Sequence, residues 1–456
     1  MQYLNILFFL ILSYWGLKFL FSSQRIVSHP FDKKQKLLFE GPELYLVLMM
    51  STGLLSLAAP IGLDLSAIRL LALEIFCIIG LSRVRHKPIW TATSIFYVLL
   101  IIWMCIGLFY TSSISFGIRV ILKFIYAFLV ILFTSAVVRD GEVFLKSAFG
   151  ARWMAIITII LNFTHISRLF PGTIWYSTAL AINYIVMCVF SLAMYYYGGK
   201  KRKDLYLTLL FMIPCVVWVF RTSIMGTALA IMVFMFFKYR LRSLPFIGGI
   251  LVLFIVAIFT IPSVKNKMFR GENKTLTEFQ EGKVSMDDID SNGRFAMWEW
   301  SLDTYYKGRE NIGSGTGNLQ RAFYALEHGY GTIKIVHNDY VQILCDNGLI
   351  GLILFAGAFL SLIIHSFIVF QKRRYPWYIK VCAITAGASA TGILLTMYTD
   401  NVINYTMATI SYPCAFYGMM LGLEKGYKQK QALNSNRQSL NEISAESRDF
   451  SVKCKV

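Results

Sequence analysis

The sequence predicts an all-α, polytopic membrane protein, and two observations indicate this class. First, 56% of the 456 residues are hydrophobic and 15% are charged, whereas a soluble globular chain has roughly 25% charged residues. Second, the apolar residues form long runs bounded by charged or turn residues, and many runs reach the roughly 20 residues that a helix needs to cross a bilayer. On this criterion we expect about 13 transmembrane helices, with about 12 as the alternative count.

The predicted elements fall into four regions. Residues 1–262 carry helices 1–10, 263–348 form one large polar loop, 349–422 carry the last three helices, and 423–456 form a polar tail that we expect to be disordered. The first helix lacks the basic start and cleavage site of a signal peptide, so we expect it to be retained. The spans lie near 2–21, 42–60, 62–81, 89–110, 115–138, 148–164, 174–197, 205–220, 223–237, 245–262, 349–370, 380–399 and 405–422.

The charge of the connections predicts their orientation. Every second connection is rich in Lys and Arg, whereas the short connections between them carry only Arg168 and Arg221. The positive-inside rule places the basic set and the C-terminal tail in the cytoplasm, and the N-terminus and 263–348 outside. Because the formal charge of +19 is spread over short connections, rather than gathered on a folded face, we expect no nucleic-acid partner.

The cysteines and acidic residues do not form a metal site. Six of the eight cysteines lie inside apolar runs, and no CxxC or Cys/His spacing typical of metal ligands occurs. We therefore expect neither a metal nor another cofactor.

Several cations lie where the predicted spans should be apolar. Arg69, Arg119 and Lys123 fall in the outer half of their spans, and Arg221 ends a span on the same side. Buried charges in membranes are costly and often functional, and guanidinium groups match phosphate oxygens. An embedded lipid-linked phosphate or diphosphate would hold such cations together. Alternatively, Arg69 pairs with an acid (Asp64, Glu74 and Asp400 are the candidates), while Arg119 and Lys123 extend to the interface.

A histidine motif, His337-Asn338-Asp339-Tyr340, ends the large polar loop. Histidine changes protonation near neutral pH, so it suits general acid–base chemistry. The alternative is an ordinary structural histidine. Gly348 and Gly351 follow at the start of the next span.

This pattern resembles the signature of the O-antigen ligase and O-antigen polymerase superfamily of bacterial envelope glycosyltransferases. Arg221-Thr222-Ser223 looks like the first essential arginine segment of that family, and Gly293-Arg294 followed by Trp298 looks like the second. The stretch Asn311-Ile-Gly-Ser-Gly-Thr-Gly-Asn is similar to the glycine-rich segment before the histidine, and we expect it to form a tight turn. The motifs cover about residues 205–370. One departure is the additional span, since family members often have about a dozen, with both termini inside.

The resemblance implies a bundle similar to that of GT-C glycosyltransferases, in the bacterial cytoplasmic membrane, with its large loop outside. The substrates would be an oligosaccharide on undecaprenyl diphosphate and an acceptor glycan, without a metal. His337 would act as base, and Arg221 and Arg294 would stabilise the leaving diphosphate. The further residues expected to bind substrate are Arg69, Arg119, Lys123, Arg168, Asn338, Asp339 and Trp298.

Three functions remain open at this point. A polymerase of O-antigen or capsular repeat units is favoured, because it needs only lipid-linked substrates. A ligase would transfer the finished glycan to lipid A core or to a protein. A flippase for the same lipid-linked sugar is the third, although transporters usually carry paired repeats and polar groups at mid-membrane depth. A flippase and a chain-length regulator are the protein partners that the resemblance suggests.

Overall fold

Apolar helices make up most of the chain, as the hydrophobic runs predict. The computed structural model describes residues 2–22, 25–28, 36–53, 65–164, 178–217, 221–260, 294–329 and 333–453. The first half contains α1 (Gln2–Leu20), β1 (Arg25–Ser28), β2 (Lys36–Phe39), α2 (Gly41–Thr52), α3 (Leu65–Arg83), α4 (Ala92–Gly107), α5 (Ile114–Val137), α6 (Gly141–Phe163) and α7 (Thr178–Tyr197).

The second half begins with α8 (Arg202–Val217), α9 (Arg221–Tyr239), a 3₁₀ turn at Arg240–Ser243 and α10 (Leu244–Thr260). After residues outside the described part come α11 (Arg294–Ser301), a π-helical turn at Leu302–Tyr306 and α12 (Asn318–Tyr324). The chain ends with α13 (Asp339–Gln371), α14 (Trp377–Thr396), a 3₁₀ turn at Ile403–Tyr405 and α15 (Ser411–Lys453).

Each of the thirteen predicted spans overlaps one of these helices, so the all-α membrane class is confirmed. Within the described residues, six segments are long and apolar enough to cross a membrane by length and composition; the exact number of spans stays a prediction. The described part of the chain departs from the all-α class at one place, where β1 and β2 pair antiparallel from Arg25 opposite Phe39 to Ser28 opposite Lys36. The six segments are Ile114–Val137, Gly141–Phe163, Leu180–Tyr197, Arg221–Gly249, Asp339–Gln371 and Trp377–Thr396.

The C-terminal tail differs from its prediction. The expected disorder over 423–456 is wrong for the described residues, because α15 continues as one helix to Lys453. The tail has no proline and no glycine after Gly426, and is rich in Lys, Gln, Ala, Glu and Arg, which favour helix. It also extends a helix that already exists, so the costly first turn is not needed again.

The interior of the bundle is built from α5, α7, α14 and the first part of α15. These helices are buried on nearly every side, whereas α3, α4 and α8 keep one exposed apolar face. Gly418, Gly422 and Gly426 follow one face of α15, and a Cβ atom at any of them would overlap atoms of Thr134, Val138 or Arg139 at the end of α5. Small residues at this spacing let two membrane helices approach closely.

The predicted large loop folds into a small subdomain where the structure describes it. Residues 263–293 lie outside the described part, and with them the charged segment and turn at the start of that loop. Residues 294–348 carry α11, α12 and the first turns of α13. A second apolar cluster joins these pieces; its members are Met297, Trp298, Leu319, Phe323, Val336, Val341 and Cys345.

Candidate active site

His337 lies directly before α13, and the local sequence explains why the helix begins there. The side-chain oxygen of Asn338 accepts hydrogen bonds from the backbone N–H groups of Tyr340 and Val341, both at 3.0 Å. This is the N-cap arrangement that satisfies the free donors of a first helical turn. His337 itself has φ 51°, a left-handed conformation that costs a residue other than glycine about 1–3 kcal/mol. The surrounding contacts therefore hold the histidine in an unfavourable backbone conformation.

Asp400 is the acidic neighbour of this histidine. It belongs to the connection between α14 and α15, and its Oδ1 lies 3.6 Å from Nδ1 of His337. The His337 side chain is 25% exposed and that of Asp400 is 7% exposed. At 3.6 Å the two atoms are too far apart for a hydrogen bond, but a carboxylate this close stabilises positive charge that develops on the ring.

Two arginines complete the cluster. Arg294, the first residue of α11, donates a hydrogen bond to the carbonyl oxygen of Thr399, next to Asp400. Burial lowers the pKa of Arg294; the Asp400 carboxylate opposes this effect, and the charge of Arg221 adds to it. The structure thus brings together the three residues predicted to be catalytic, around a carboxylate that sequence analysis considered only as a partner for the membrane cations.

Asp339 holds the connection that carries Asp400. One of its carboxylate oxygens accepts from the backbone N–H groups of Val402, at 2.7 Å, and Ile403, at 3.1 Å. Its own backbone N–H donates to the carbonyl oxygen of Met397 at 2.9 Å. The side chains of Asn338 and Asp339 are both buried. These contacts hold the backbone on which His337 and Asp400 sit. That the two residues also bind substrate stays a prediction.

Trp298 is also predicted to bind substrate, which stays a prediction, and in the structure it supports the backbone before His337. Its indole N–H donates to the carbonyl oxygen of Val336 at 2.9 Å, and its ring centroid lies 5.5 Å from that of Tyr398. The side chain is buried, because an indole with one satisfied N–H packs well inside an apolar cluster. Trp298 thus holds the backbone at Val336, the residue before His337.

The glycine-rich stretch forms the tight turn that was predicted. Gly313, Gly315 and Gly317 all have positive φ, which glycine adopts at little cost. The side chain of Asp346, in the first turns of α13, accepts from the backbone N–H groups of Gly317, at 3.0 Å, and Leu319, at 2.8 Å. The stretch therefore clamps the start of α13, just before the helix breaks at Gly348, where φ is 65°.

A second cationic site lies at the same end of the bundle. Arg119 and Lys123 line one cavity of about 160 Å³, as their four-residue spacing predicts. Lys123 donates to the side-chain oxygen of Asn404, and the Gln320 amide donates to the same oxygen at 3.5 Å. Asn404 belongs to the connection that also carries Asp400, so one segment reaches both cationic sites.

Arg69 does not join either of these sites. Arg69 is buried and donates to the carbonyl oxygen of Thr52 at 2.8 Å, at the end of α2, where carbonyl groups lack helical partners. It lines a different, smaller cavity from the one that contains Arg119 and Lys123. The prediction of one shared cluster is therefore wrong for Arg69. Arg168 lies outside the described residues.

Sequence analysis missed several residues that shape the site, above all Asn404, Gln320 and Asp346. Asp400, Asn401 and Asn404 form a polar group between two apolar runs, and this contrast was the available signal. No group of three or more His, Cys, Asp or Glu side chains that could hold a metal was found where the structure describes them.

Comparison with known families agrees with the resemblance drawn from the motifs. Residues 207–356, about a third of the chain, match the family described as O-antigen ligase. No curated protein matches the chain. The matched segment includes Arg221, Arg294, the glycine-rich stretch and His337. The resemblance to the O-antigen ligase and polymerase superfamily is confirmed, and it supports a glycosyltransferase-like membrane enzyme of polysaccharide biosynthesis.

Proposed function

We propose that the protein transfers oligosaccharide repeat units from an undecaprenyl-diphosphate carrier to an acceptor glycan, on the outer face of the bacterial cytoplasmic membrane. The observation that carries this proposal is the convergence of His337, Asp400, Arg294 and Arg221 at one end of the bundle. A base beside a carboxylate, next to two guanidinium groups, suits the attack of a hydroxyl on a sugar diphosphate.

The reaction uses these groups in complementary ways. The acceptor hydroxyl attacks the anomeric carbon, the bond from that carbon to the diphosphate oxygen breaks, and the bonding electrons leave with the diphosphate. His337 takes the hydroxyl proton on the ring nitrogen that faces away from Asp400. Arg221 and Arg294 face the charge that grows on the departing diphosphate, where preorganised cations contribute most. On this proposal these side chains supply both functions, and no metal takes part.

Polymerisation is the form of this reaction that we favour. A polymerase handles two substrates that each carry a diphosphate, whereas a ligase handles one. The second cationic cavity, lined by Arg119 and Lys123, provides a place for the diphosphate of the second substrate. Its link through Asn404 to the segment that carries Asp400 supports coupling between the two sites. A flippase that delivers the substrate and a chain-length regulator would then act as partners.

A reconstituted assay tests the proposal. A lipid-linked repeat unit is added to the purified protein in liposomes, and the reaction products are separated by chain length. We expect His337→Ala and Arg294→Ala to abolish elongation. Matched controls are His86→Ala, at the opposite end of the bundle, and Arg309→Ala, at an exposed position of the large loop; both should elongate normally. Undiminished products from His337→Ala would contradict the catalytic role.

A deletion strain separates the ligase alternative, which the description of the matched family favours. Loss of a polymerase leaves single repeat units on the carrier, whereas loss of a ligase leaves long chains stranded on it. Conversion of the donor by the purified protein would exclude a purely transport role.

A further inference from the structure

An open cavity of about 690 Å³ lies at the end of the bundle opposite His337. The ends of α7, α9 and α13 and the start of α14 surround it. Its volume falls within the range of pockets that bind small molecules, roughly 300–1,000 Å³. The catalytic proposal does not involve this cavity. The predicted orientation places it on the cytoplasmic side of the membrane.

The walls of this cavity are strongly basic. Of the described residues that line it, none is acidic, and the others include tyrosines and a phenylalanine. Several cations around one volume repel each other, and an anion between them removes that repulsion. The basic residues are Lys238, Arg240, Arg242, Arg373 and Lys380.

One of these cations is held in place rather than left to move in solvent. Arg240 has φ 54°, a strained conformation for a residue with a side chain. Its Nε and Nη2 atoms donate to Oε1 of Gln371 at 3.1 and 2.9 Å. The Gln371 amide in turn donates to the carbonyl oxygen of Phe237 at 2.8 Å. Orienting a membrane protein requires only basic residues on one side, so this fixed geometry calls for a separate explanation.

Exposed apolar side chains lie close along the chain to the basic residues that line the cavity. Leu241 lines the cavity and is 71% exposed, and Leu244 and Phe246 follow along the chain, each about half exposed. Phe236 on α9 is also exposed. A surface that combines a cationic recess with exposed apolar side chains fits a ligand with an anionic head and a hydrocarbon chain.

We propose that this cavity binds the phosphate headgroup of an anionic phospholipid of the inner leaflet. Guanidinium groups bind phosphate oxygens through paired hydrogen bonds, and basic pockets between membrane helices on the cytoplasmic side are suited to such headgroups. A soluble phosphate would offer the same charge without using Leu241 and the exposed apolar side chains that follow it along the chain. The proposal is independent of the catalytic function.

Lipid binding to the purified full-length protein tests the site. Phosphatidylglycerol is titrated against the protein in detergent, with phosphatidylcholine, glycerol 3-phosphate and inorganic phosphate as further ligands. We expect phosphatidylglycerol to bind best. The double substitution Arg242→Gln and Arg373→Gln should weaken its binding about 25-fold, since each basic side chain near an anionic lipid surface contributes about a fivefold effect.

A control with the same change of charge separates a site from general attraction. Arg202→Gln with Arg374→Gln removes two exposed cations that do not line the cavity, and should change binding less than twofold. Equal weakening in both double variants would overturn the site. Glycerol 3-phosphate or inorganic phosphate binding as tightly as phosphatidylglycerol would overturn the assignment to a lipid. If the first double variant does not fold, Arg373→Gln alone repeats the test, with a fivefold effect expected.

Discussion

Replacing Asp400 with Asn tests the arrangement around His337 most directly. At 3.6 Å, opposite unit charges attract by about 4.6 kcal/mol at an effective dielectric constant near 20, and by about 1.2 kcal/mol in water. A quarter of the His337 side chain is exposed, and Arg294 shares the same carboxylate. The transition-state stabilisation lost on removing the Asp400 charge should therefore lie between these limits, at about 1.4–2.8 kcal/mol. We therefore expect kcat to fall about ten- to hundredfold.

The substitution preserves most of the local structure. Asn has the shape of Asp and keeps an oxygen for the backbone N–H of Asn401, which now donates to Asp400 Oδ1 at 2.8 Å. The donor KM should change less than threefold, because Arg221 and Arg294 remain. The assay is elongation of a lipid-linked repeat unit by reconstituted protein at several donor concentrations. Asp303→Asn, an exposed site in the same subdomain, serves as the control. A folded Asp400→Asn variant with more than a third of the wild-type kcat would refute the reasoning.

Three further predictions concern the second cationic site, the support of His337 and the packing of the bundle. Lys123→Gln should raise the acceptor KM about ten- to hundredfold, since a charge-assisted hydrogen bond contributes about 1.5–3 kcal/mol. Steady-state kinetics at varied acceptor concentration measure this change, and an unchanged acceptor KM would show that the cavity is not a binding site. Trp298→Phe removes the hydrogen bond from the indole to the carbonyl oxygen of Val336. It should lower the free energy of unfolding by about 1–3 kcal/mol, which denaturant titration measures. An unchanged midpoint would contradict this role. Gly422→Leu overpacks the contact with α5 and should lower the free energy of unfolding by about 3 kcal/mol, as followed by thermal unfolding. Gly248→Leu should have little effect, because a Cβ atom there would meet nothing within 4 Å. Equal effects would disprove the close approach.

The positions of the helices could be predicted because the signal is local. Runs of apolar residues locate each span, and the overlapping helices follow those runs. The prediction for the tail relied on its polarity, which indicates only that a segment cannot form a core. Polarity does not prevent a membrane helix from continuing into such a segment.

The candidate site could be predicted only in part. Ordered motifs grouped Arg221, Arg294 and His337, and the structure brings them together; their catalytic roles stay a prediction. The motifs could not distinguish side chains that face substrate from those that hold the backbone. Three of the predicted residues lie beside the histidine along the chain or in space: Asn338, Asp339 and Trp298. Each is buried, and its side chain forms hydrogen bonds with backbone groups.

The sequence by itself determined the membrane class, the approximate bounds of the helices and the pairing of Arg119 with Lys123 on one helix face. Each of these depends on composition or on spacing within a few residues. Only the tertiary structure decided that Asp400 faces His337, that Arg69 turns away to Thr52, and that five basic residues from two connections surround one cavity. These contacts join residues far apart in the chain, and how closely two helices pack determines them. Glycines such as Gly422 allow that approach, but a sequence pattern does not show which neighbour they meet.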